Sequence, residues 1–506
     1  MLPFLNTTNS KSKKYVVSFQ GINYGEGYRE GEFSHCKNLS TRNYPCISQR
    51  LGRVKAGAYV SPTSLHTKEG HMVVDGTTVY YNGTEVGTVT AGRKQMATIG
   101  DYVVIFPDKA FYNVETGVFG NLEETYTASG LVFTDTTITA SAGDHFPFRT
   151  GDAITISGCA TGENNKTELI VRGVSGNVLT FYENTFTAAT ESGVVTLKRE
   201  VPDLDFICES NYRLWGTKGN TIYSSKYMDP FNFNSFDGSA GDSYAIDVGS
   251  DGEFTGCIPF SSHICFFKEN VLHKLYGSKP SNFQLVTSQV YGVQAGSERS
   301  MCIINETLYY KGVNGVYAYT GGVPECVSDK FGTRRFSEAC ASTDGSIYYL
   351  CMRSGNEWHL FAYDVLRGLW VREDDLHCVD MAQHDGHVYL LSADGFLYRV
   401  DEEADTSETE WSVTFCPFNE TVNERKGYSK FHLRLEMAAG SWITVEQKRD
   451  IDTVWQEIYT AHSERARTVS IPVLPARCDS VEIRLSGKGG CLLRTFIREF
   501  FVGSDV

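Results

Sequence analysis

Residues 307–322 read TLYYKGVNGVYAYTGG. Two short apolar and aromatic runs flank a turn at Asn314-Gly315, and a Gly-Gly pair closes the unit. Asn-Gly between such runs marks a tight hairpin, because both central residues of that turn take positive φ. The same unit recurs as HMVVDGTTVYYNG (71–83), YVVIFPDKAFYNV (102–114), YRLWGTKGNTIYSS (212–225), HICFFKENVLHKLYG (263–277), IYYLCMRSGNEWHLFAYD (347–364) and HVYLLSADGFLYRVD (387–401). One apolar residue after each turn serves as a marker: Val79, Phe111, Ile222, Leu272, Val316, Leu360 and Leu397. The steps between markers are 32, 111, 50, 44, 44 and 37 residues. Five of the six lie near the period of roughly 40–50 residues that a four-stranded propeller blade requires. A blade cannot cover both of its faces alone, so repeats of this size stack radially. The sequence therefore predicts an all-β chain built on a β-propeller of about seven blades, with six or eight left open. A stacked array of β-sandwiches is the alternative.

The 111-residue step leaves a normal period once an insert of about 75–80 residues is removed. Residues 122–200 fit that insert, being dense in Thr, Val and Ile, alternating, and broken at 142–144, 162–165 and 175–177. They predict a β-sandwich or small barrel standing out from one blade. The propeller then occupies 51–121 and 201–400. Six of the ten residues of DEEADTSETE (401–410) are acidic, which reads as a solvated linker. Beyond it, 411–506 alternates apolar and polar residues, as in KFHLRLEM and SVEIRLSG, and predicts a C-terminal antiparallel sandwich. Residues 1–50 lack the repeat and read as an extended rim segment, a ring-closing strand or an arm to a neighbouring subunit.

Composition excludes several functions. The chain has 506 residues, 48 glycines, 13% aromatics and a net charge of −15. Such acidity is unsuited to gripping nucleic acid; it fits a wall past which DNA slides or ordinary solubility, and charge alone does not separate the two. No run of 18 apolar residues points to a membrane span. The N-terminus lacks a secretory h-region, so the sequons at Asn6, Asn38, Asn82, Asn165, Asn305 and Asn419 read as chance matches. The 14 cysteines include no C-x-x-C and read as reduced, mostly buried thiols.

No H-E-x-x-H, G-x-S-x-G or phosphate-binding G-x-x-x-x-G-K-[ST] is present. Ser342–Gly345 and Ser392–Gly395 lack the spacer and Trp of sialidase-type turns and read as hairpin turns. Asp374-Asp375 would point to opposite faces if in a strand, and reads as part of a turn after Trp370. His384-Asp385-Gly386-His387 flanks another turn. The basic clusters KSKK (11–14) and RRF (334–336) are too small for a nucleic-acid footprint; KSKK reads as a solvated arm, or as a contact for an acidic neighbour. The sequence implies no enzyme, cofactor or metal. Tyr182, Trp442 and Trp455 are core residues, or sugar-stacking rings if a β domain reads glycans.

VSFQGINYGEGYREGEFSHCKNLSTRNYPCISQRLGR (17–53) resembles the opening of a group of tail proteins from phages and prophages of gut bacteria. The matching positions are Gly31-Glu32, Asn38-Leu39 and the YPxLSxR-like Tyr44–Arg50, with Cys46 where Leu or Ala is expected. VPDLDFICESNYRLWG, GNTIYSSKYMDPFNF, DVGSDGEFTG, FFKENVLHKLYGSKPSNFQ and GSERSMCIINETLYY are similar as well, so the resemblance runs over nearly the whole chain. It implies a propeller-based virion component, a tail hub or nozzle protein of the packaged-DNA stabilisation type. Such proteins form rings, commonly hexamers, below the portal. The implied partners are further copies of the chain, portal or adaptor and other tail proteins, and DNA passing without specific binding. The implied place is the virion tail, assembled in the bacterial cytoplasm. Asn38, Tyr44, Pro45 and Arg50 become candidate subunit-interface residues. A glycan-binding adsorption protein is the alternative.

Overall fold

The computed structural model describes residues 11–463, 467–474 and 476–502; Asn6 lies outside them. The fold is all-β and of the β-propeller class, with seven four-stranded antiparallel sheets among the described residues. The chain divides into two compact units, Tyr59–Glu298 and the remainder.

Tyr59–Glu298 holds four blades, at 62–88, 95–121, 206–247 and 254–289, each with its strands in chain order. First strands of successive blades touch, as Gln95–Ile99 touches Phe206–Ser210 and Phe206–Ser210 touches Phe254–Phe260. Each pair of neighbouring blades shares an apolar core. Met72, Val74 and Val79 meet Val103, Ile105 and Tyr112 in the first such core. Trp215 and Ile222 meet Ile264, Phe266 and Leu275 in another. Burying side chains of this size contributes roughly 1.5–3 kcal/mol apiece.

The stretch between blades, 124–199, forms a seven-stranded sheet of its own. Its terminal strands, Lys166–Ile170 and Gly173–Ser175, do not pair with each other, yet Leu131, Ile138, Ile154, Leu179 and Leu197 share one core. The sheet is therefore curled on itself as an open barrel. A bulge between Ser129 and Leu131, where Gly130 takes φ +75°, bends its longest ladder. The two legs of the insert, Glu124–Phe133 and Ala189–Arg199, pair along their length. At their base the buried Arg199 bridges Asp152 at 2.7 Å and donates to Leu122 O at 3.0 Å. Asn232 of the next blade donates to Gly151 O at 2.5 Å.

The second unit holds blades at 302–326, 337–374 and 378–401, together with a two-sheet sandwich. The last blade takes its outer strand, Gly52–Ala58, from the start of the chain, in register from Asp401↔Gly52 to Phe396↔Ala58. All seven marker residues fall in the third strand of a blade, and all but the half-buried Phe111 are buried. The turn at Asp385-Gly386 has φ of +48° and +78°, as a two-residue hairpin needs.

The N-terminal segment differs from the rim segment expected for 1–50. Lys11–Val16, Leu39–Ser40 and Ile47–Gln49 join one sheet of the C-terminal sandwich, with Cys491–Val502 and Lys426–Met437. Phe33–Lys37 begins the other sheet, beside Glu410–Phe415. Short strands interrupted by turns hide the alternation in the sequence, but Val16, Phe19, Ile22, Phe33, Cys36, Leu39 and Ile47 are all buried in the sandwich's core cluster. Phe33 packs on Phe415 at 5.4 Å, and Phe415 on Phe496 at 5.3 Å. The acidic stretch 401–410 is a tied turn rather than a free linker. Its side chains face out while Gln49 Nε2 donates to Thr406 O and Thr409 O, each at 3.1 Å.

Phe33→Ala opens a cavity across both sheets and should cost about 3–5 kcal/mol. Denaturant titration followed by tryptophan fluorescence should show an early transition of the sandwich; an unchanged titration would contradict the shared core.

Candidate interaction sites

Asn38 sits at φ +58°, a left-handed conformation that Asn tolerates better than most residues. That turn sends its groups three ways. Its backbone N–H donates to Glu373 O at 2.5 Å, and Nδ2 donates to Glu410 O at 2.7 Å. Its Oδ1 accepts from Arg50 Nε at 2.7 Å. Arg53 completes the cluster, with Nη2 on Glu373 at 2.8 Å and Nη1 on Asp374 at 2.6 Å. Burial alone would raise the Asp374 pKa; the Arg53 and Arg50 guanidiniums outweigh it and hold the carboxyl below its ordinary value.

Two sequence expectations change here. The strand Leu369–Asp374 runs on past Trp370, with no turn there. Asp374 faces Arg50 and Arg53, while Asp375 takes Lys37 at 2.8 Å and Arg372, so the two acids do diverge. Asn38 and Arg50, candidate interface residues, also hold partners of their own chain. Both are bound within the chain, because the left-handed turn at Asn38 points them at the blade edge. Tyr44 and Pro45 remain exposed. Tyr44 Oη accepts from Ser18 Oγ at 2.9 Å, and Pro45 O from Phe19 N–H at 3.1 Å.

A polar cleft of about 540 Å³ opens beside this clasp, lined by Arg42, Asp344, His387, Arg399, Asp401 and Glu403 among others. Two charge pairs lie within it: Arg42 contacts Asp344 and Tyr349 Oη, and Arg399 meets Asp401 at 2.5 Å. Asp344 also caps its own turn, accepting from Ser346 and Ile347 N–H at 2.9 and 2.8 Å.

The candidate sugar-stacking rings lie outside the core clusters. Tyr182 is exposed on the insert, but Arg172 covers its face at 4.1 Å. Trp455 lies under Arg484 at 4.5 Å, and Trp442 is half-buried in Ser441–Arg449.

One side-chain chain escaped the sequence reading because its members are far apart in sequence. His432 Nδ1 lies 2.8 Å from Ser470 Oγ, and His432 Nε2 lies 2.9 Å from Glu499. Hydrogen bonds from Lys13 and His432 hold the Glu499 carboxyl down to about 2, so it stays charged and fixes the imidazole tautomer. The three side chains form a cross-strand ladder on one face of a sheet, with Lys13 sharing Glu499 at 2.5 Å.

Cysteines also recur with the blades. Cys208, Cys257, Cys302, Cys340 and Cys378 each lie on the first strand of a blade, in five consecutive blades. That spacing is visible in the sequence as a second trace of the repeat. All 14 cysteines are free thiols and ten are buried. Burial pushes the Cys302 thiol up to about 12, which makes it a packing group rather than a nucleophile. Among the described residues, no group of His, Cys, Asp and Glu is placed to hold a metal ion. Among them, too, no helix is long and apolar enough to cross a membrane.

No known protein-family profile matches the chain, and no curated protein matches it in sequence. Solved structures similar to it include Hsv2 from Kluyveromyces lactis, at 14% identity and TM-score 0.27, covering 43% of this chain. The chain spans 62% of the length of that structure. An exo-beta-1,3-galactanase from Phanerochaete chrysosporium aligns at 11% identity and TM-score 0.23, over 56% of this chain and 92% of its own. The N-terminal domain of Nup159 aligns at 10% identity and TM-score 0.25, over 76% of this chain and 98% of its own. Likeness this distant carries no argument about function.

Arg53→Ala leaves Glu373 without its cation and Asp374 with Arg50 alone, at a buried edge, and should cost about 3–5 kcal/mol. Because the folded-state pKa of Asp374 lies below its unfolded value, its contribution is complete above the unfolded carboxyl value. It is lost as pH falls through the folded one. Thermal melts from pH 7 downward should therefore converge for wild type and Arg53→Ala in acid; a gap that persists would show that the ion pair is not its source.

Proposed function

We propose that this chain is a structural virion protein of a tailed bacteriophage. In this reading it is a subunit of a ring at the tail hub or nozzle, below the portal, that retains packaged DNA and conducts it on ejection. The observation that carries the reading is the resemblance of 17–53, and of further stretches throughout the chain, to phage tail proteins. The chemistry of the chain is compatible with it. A net charge of −15 keeps passing DNA from sticking, since like charges repel across any water-filled passage. The charged groups described above are spent on one another, as in a part whose work is to hold shape. The partners are further copies of the chain, portal or adaptor proteins and DNA passing without specific binding. The place is the virion tail, assembled in the host cytoplasm. The chain catalyses nothing and takes no cofactor.

Two experiments test this. Particles made without the gene should lose their DNA or lack the end of the tail on electron micrographs; particles that keep both would end the proposal. A fluorophosphonate should leave Ser470 unlabelled. Labelling at Ser470 that His432→Ala abolishes would assign acyl-transfer chemistry to the sheet face instead.

A further inference from the structure

The hairpin joining Phe206–Ser210 to Arg213–Lys218 turns through Asn211 and Tyr212, at φ +53° and +56°. A bulky side chain at positive φ is strained, and glycine is the residue that turn favours. Met228, at φ +57°, repeats the anomaly on the adjoining loop. Met228 N–H donates to Tyr212 O at 2.7 Å, and the Tyr212 and Tyr227 rings meet edge to face at 5.9 Å. The strained residues do not point inward to a core. Tyr212 is 59% exposed, Tyr227 45% and Met228 66%.

The loop beneath them is rigidly built. The buried Arg213 donates to Ser225 O, Ala240 O and Asp242 O at 2.9, 2.8 and 2.5 Å. The Asp242 carboxylate accepts from Gly238 and Ser239 N–H at 2.6 and 2.9 Å. Three apolar side chains are thus held out in water at a backbone cost, on a frame ordered in advance. That arrangement lowers the entropy lost on association and marks a contact surface.

Charge indicates what it contacts. Glu209, which caps the Tyr212 turn at 2.8 Å, and the exposed Asp237 of the same loop are acidic. The nearby cations are turned inward, Arg213 to the loop carbonyls and Lys226 toward Gly151 O at 3.4 Å. The complement is a surface that is basic at one end and apolar at the other. This chain carries one. In the strand Lys11–Val16, alternation puts Lys11, Lys13 and Tyr15 on one face, with Val17 following; Lys13 is held by Glu499, so Lys11 carries the basic end. Tyr15 is 53% exposed and Val17 57%. Among the described residues this strand pairs only with Cys491–Val502, and no other described strand lies on its second edge.

We propose that the Tyr212–Tyr227–Met228 patch of one copy docks on the Lys11–Val17 strand face of a second copy, in a head-to-tail contact. Two different surfaces meet, so the contact is heterologous, and repetition of it closes a ring or extends a filament. The inference deepens the ring reading proposed above and rests on it.

The test uses the full chain and sedimentation across a concentration series. Tyr212→Gly with Met228→Ser removes the patch; Lys11→Glu with Tyr15→Ser removes the strand face and leaves Lys13 and Lys14 on their internal partners. Each pair should weaken self-association by about tenfold or more. Tyr212→Gly relieves the strained turn, so its melting temperature should hold or rise while association falls, which a merely structural role would not produce. Mixing the two variants should restore a dimer, since one intact patch then meets one intact strand. Variants that assemble like wild type would refute this contact and leave the ring reading standing. A mixture that stays monomeric would refute the contact too, and a monomeric wild type would overturn both.

Discussion

A four-stranded blade carries apolar side chains on both faces and can cover neither. That constraint organises the molecule. Val79 and Ile222 lie at the same step of two blades, and each is buried in a core shared with a neighbouring sheet. Where no hairpin followed on to supply an outer strand, the last blade takes Gly52–Ala58 from the beginning of the chain. This borrowing brings the start of the chain to the edge of the final blade. Residues 11–49 are then at hand to complete the sandwich that follows it.

The stretch 33–58 consequently does several jobs in succession. Phe33 fills the sandwich core, Asn38 bonds the blade edge at Glu373 and the sandwich strand at Glu410, and Arg50 and Arg53 pair with the acids that end the sixth blade. The next residues become a blade strand. Sandwich and blades in this unit are tied through one short run of backbone, so loosening the ion pairs loads the strand pairings on either side. Burying Arg53 with two carboxylates is poor value as pure stabilisation, since desolvation consumes much of the attraction. Its geometric effect is to fix the register in which the N-terminal segment meets the blade.

The exposed surface contrasts with this interior. Some rings outside the core are covered by a cation of their own chain, as Tyr182 is by Arg172 and Trp455 by Arg484. The hairpin tip at Tyr212 differs, being strained, rigid and bare. Backbone strain persists only where the surroundings over-determine it, and Arg213 with its three carbonyl partners is the group that does so here.

Much of this was legible from residue order alone. Hairpin turns have local chemistry, so D-G and N-G between apolar runs revealed the blades, and the spacing of seven markers revealed their period. The insert at 122–200 stood out because Thr, Val and Ile alternate there without the blade rhythm. The N-terminal strands did not stand out. Strands of two to six residues show too few alternations to register, and all but Leu39–Ser40 have a partner more than 370 residues away. The clasp was half legible: Asn38 and Arg50 drew attention as motif residues, but only their packing shows them bound within the chain. Ser470, His432 and Glu499 left no signal, since cross-strand neighbours are set by register and not by spacing. What the sequence determined by itself was the repeating unit, because a hairpin is closed by the residues at its own turn. What only the tertiary structure decided was which distant strand completes each sheet, because an open edge is satisfied by whichever backbone the rest of the fold brings to it.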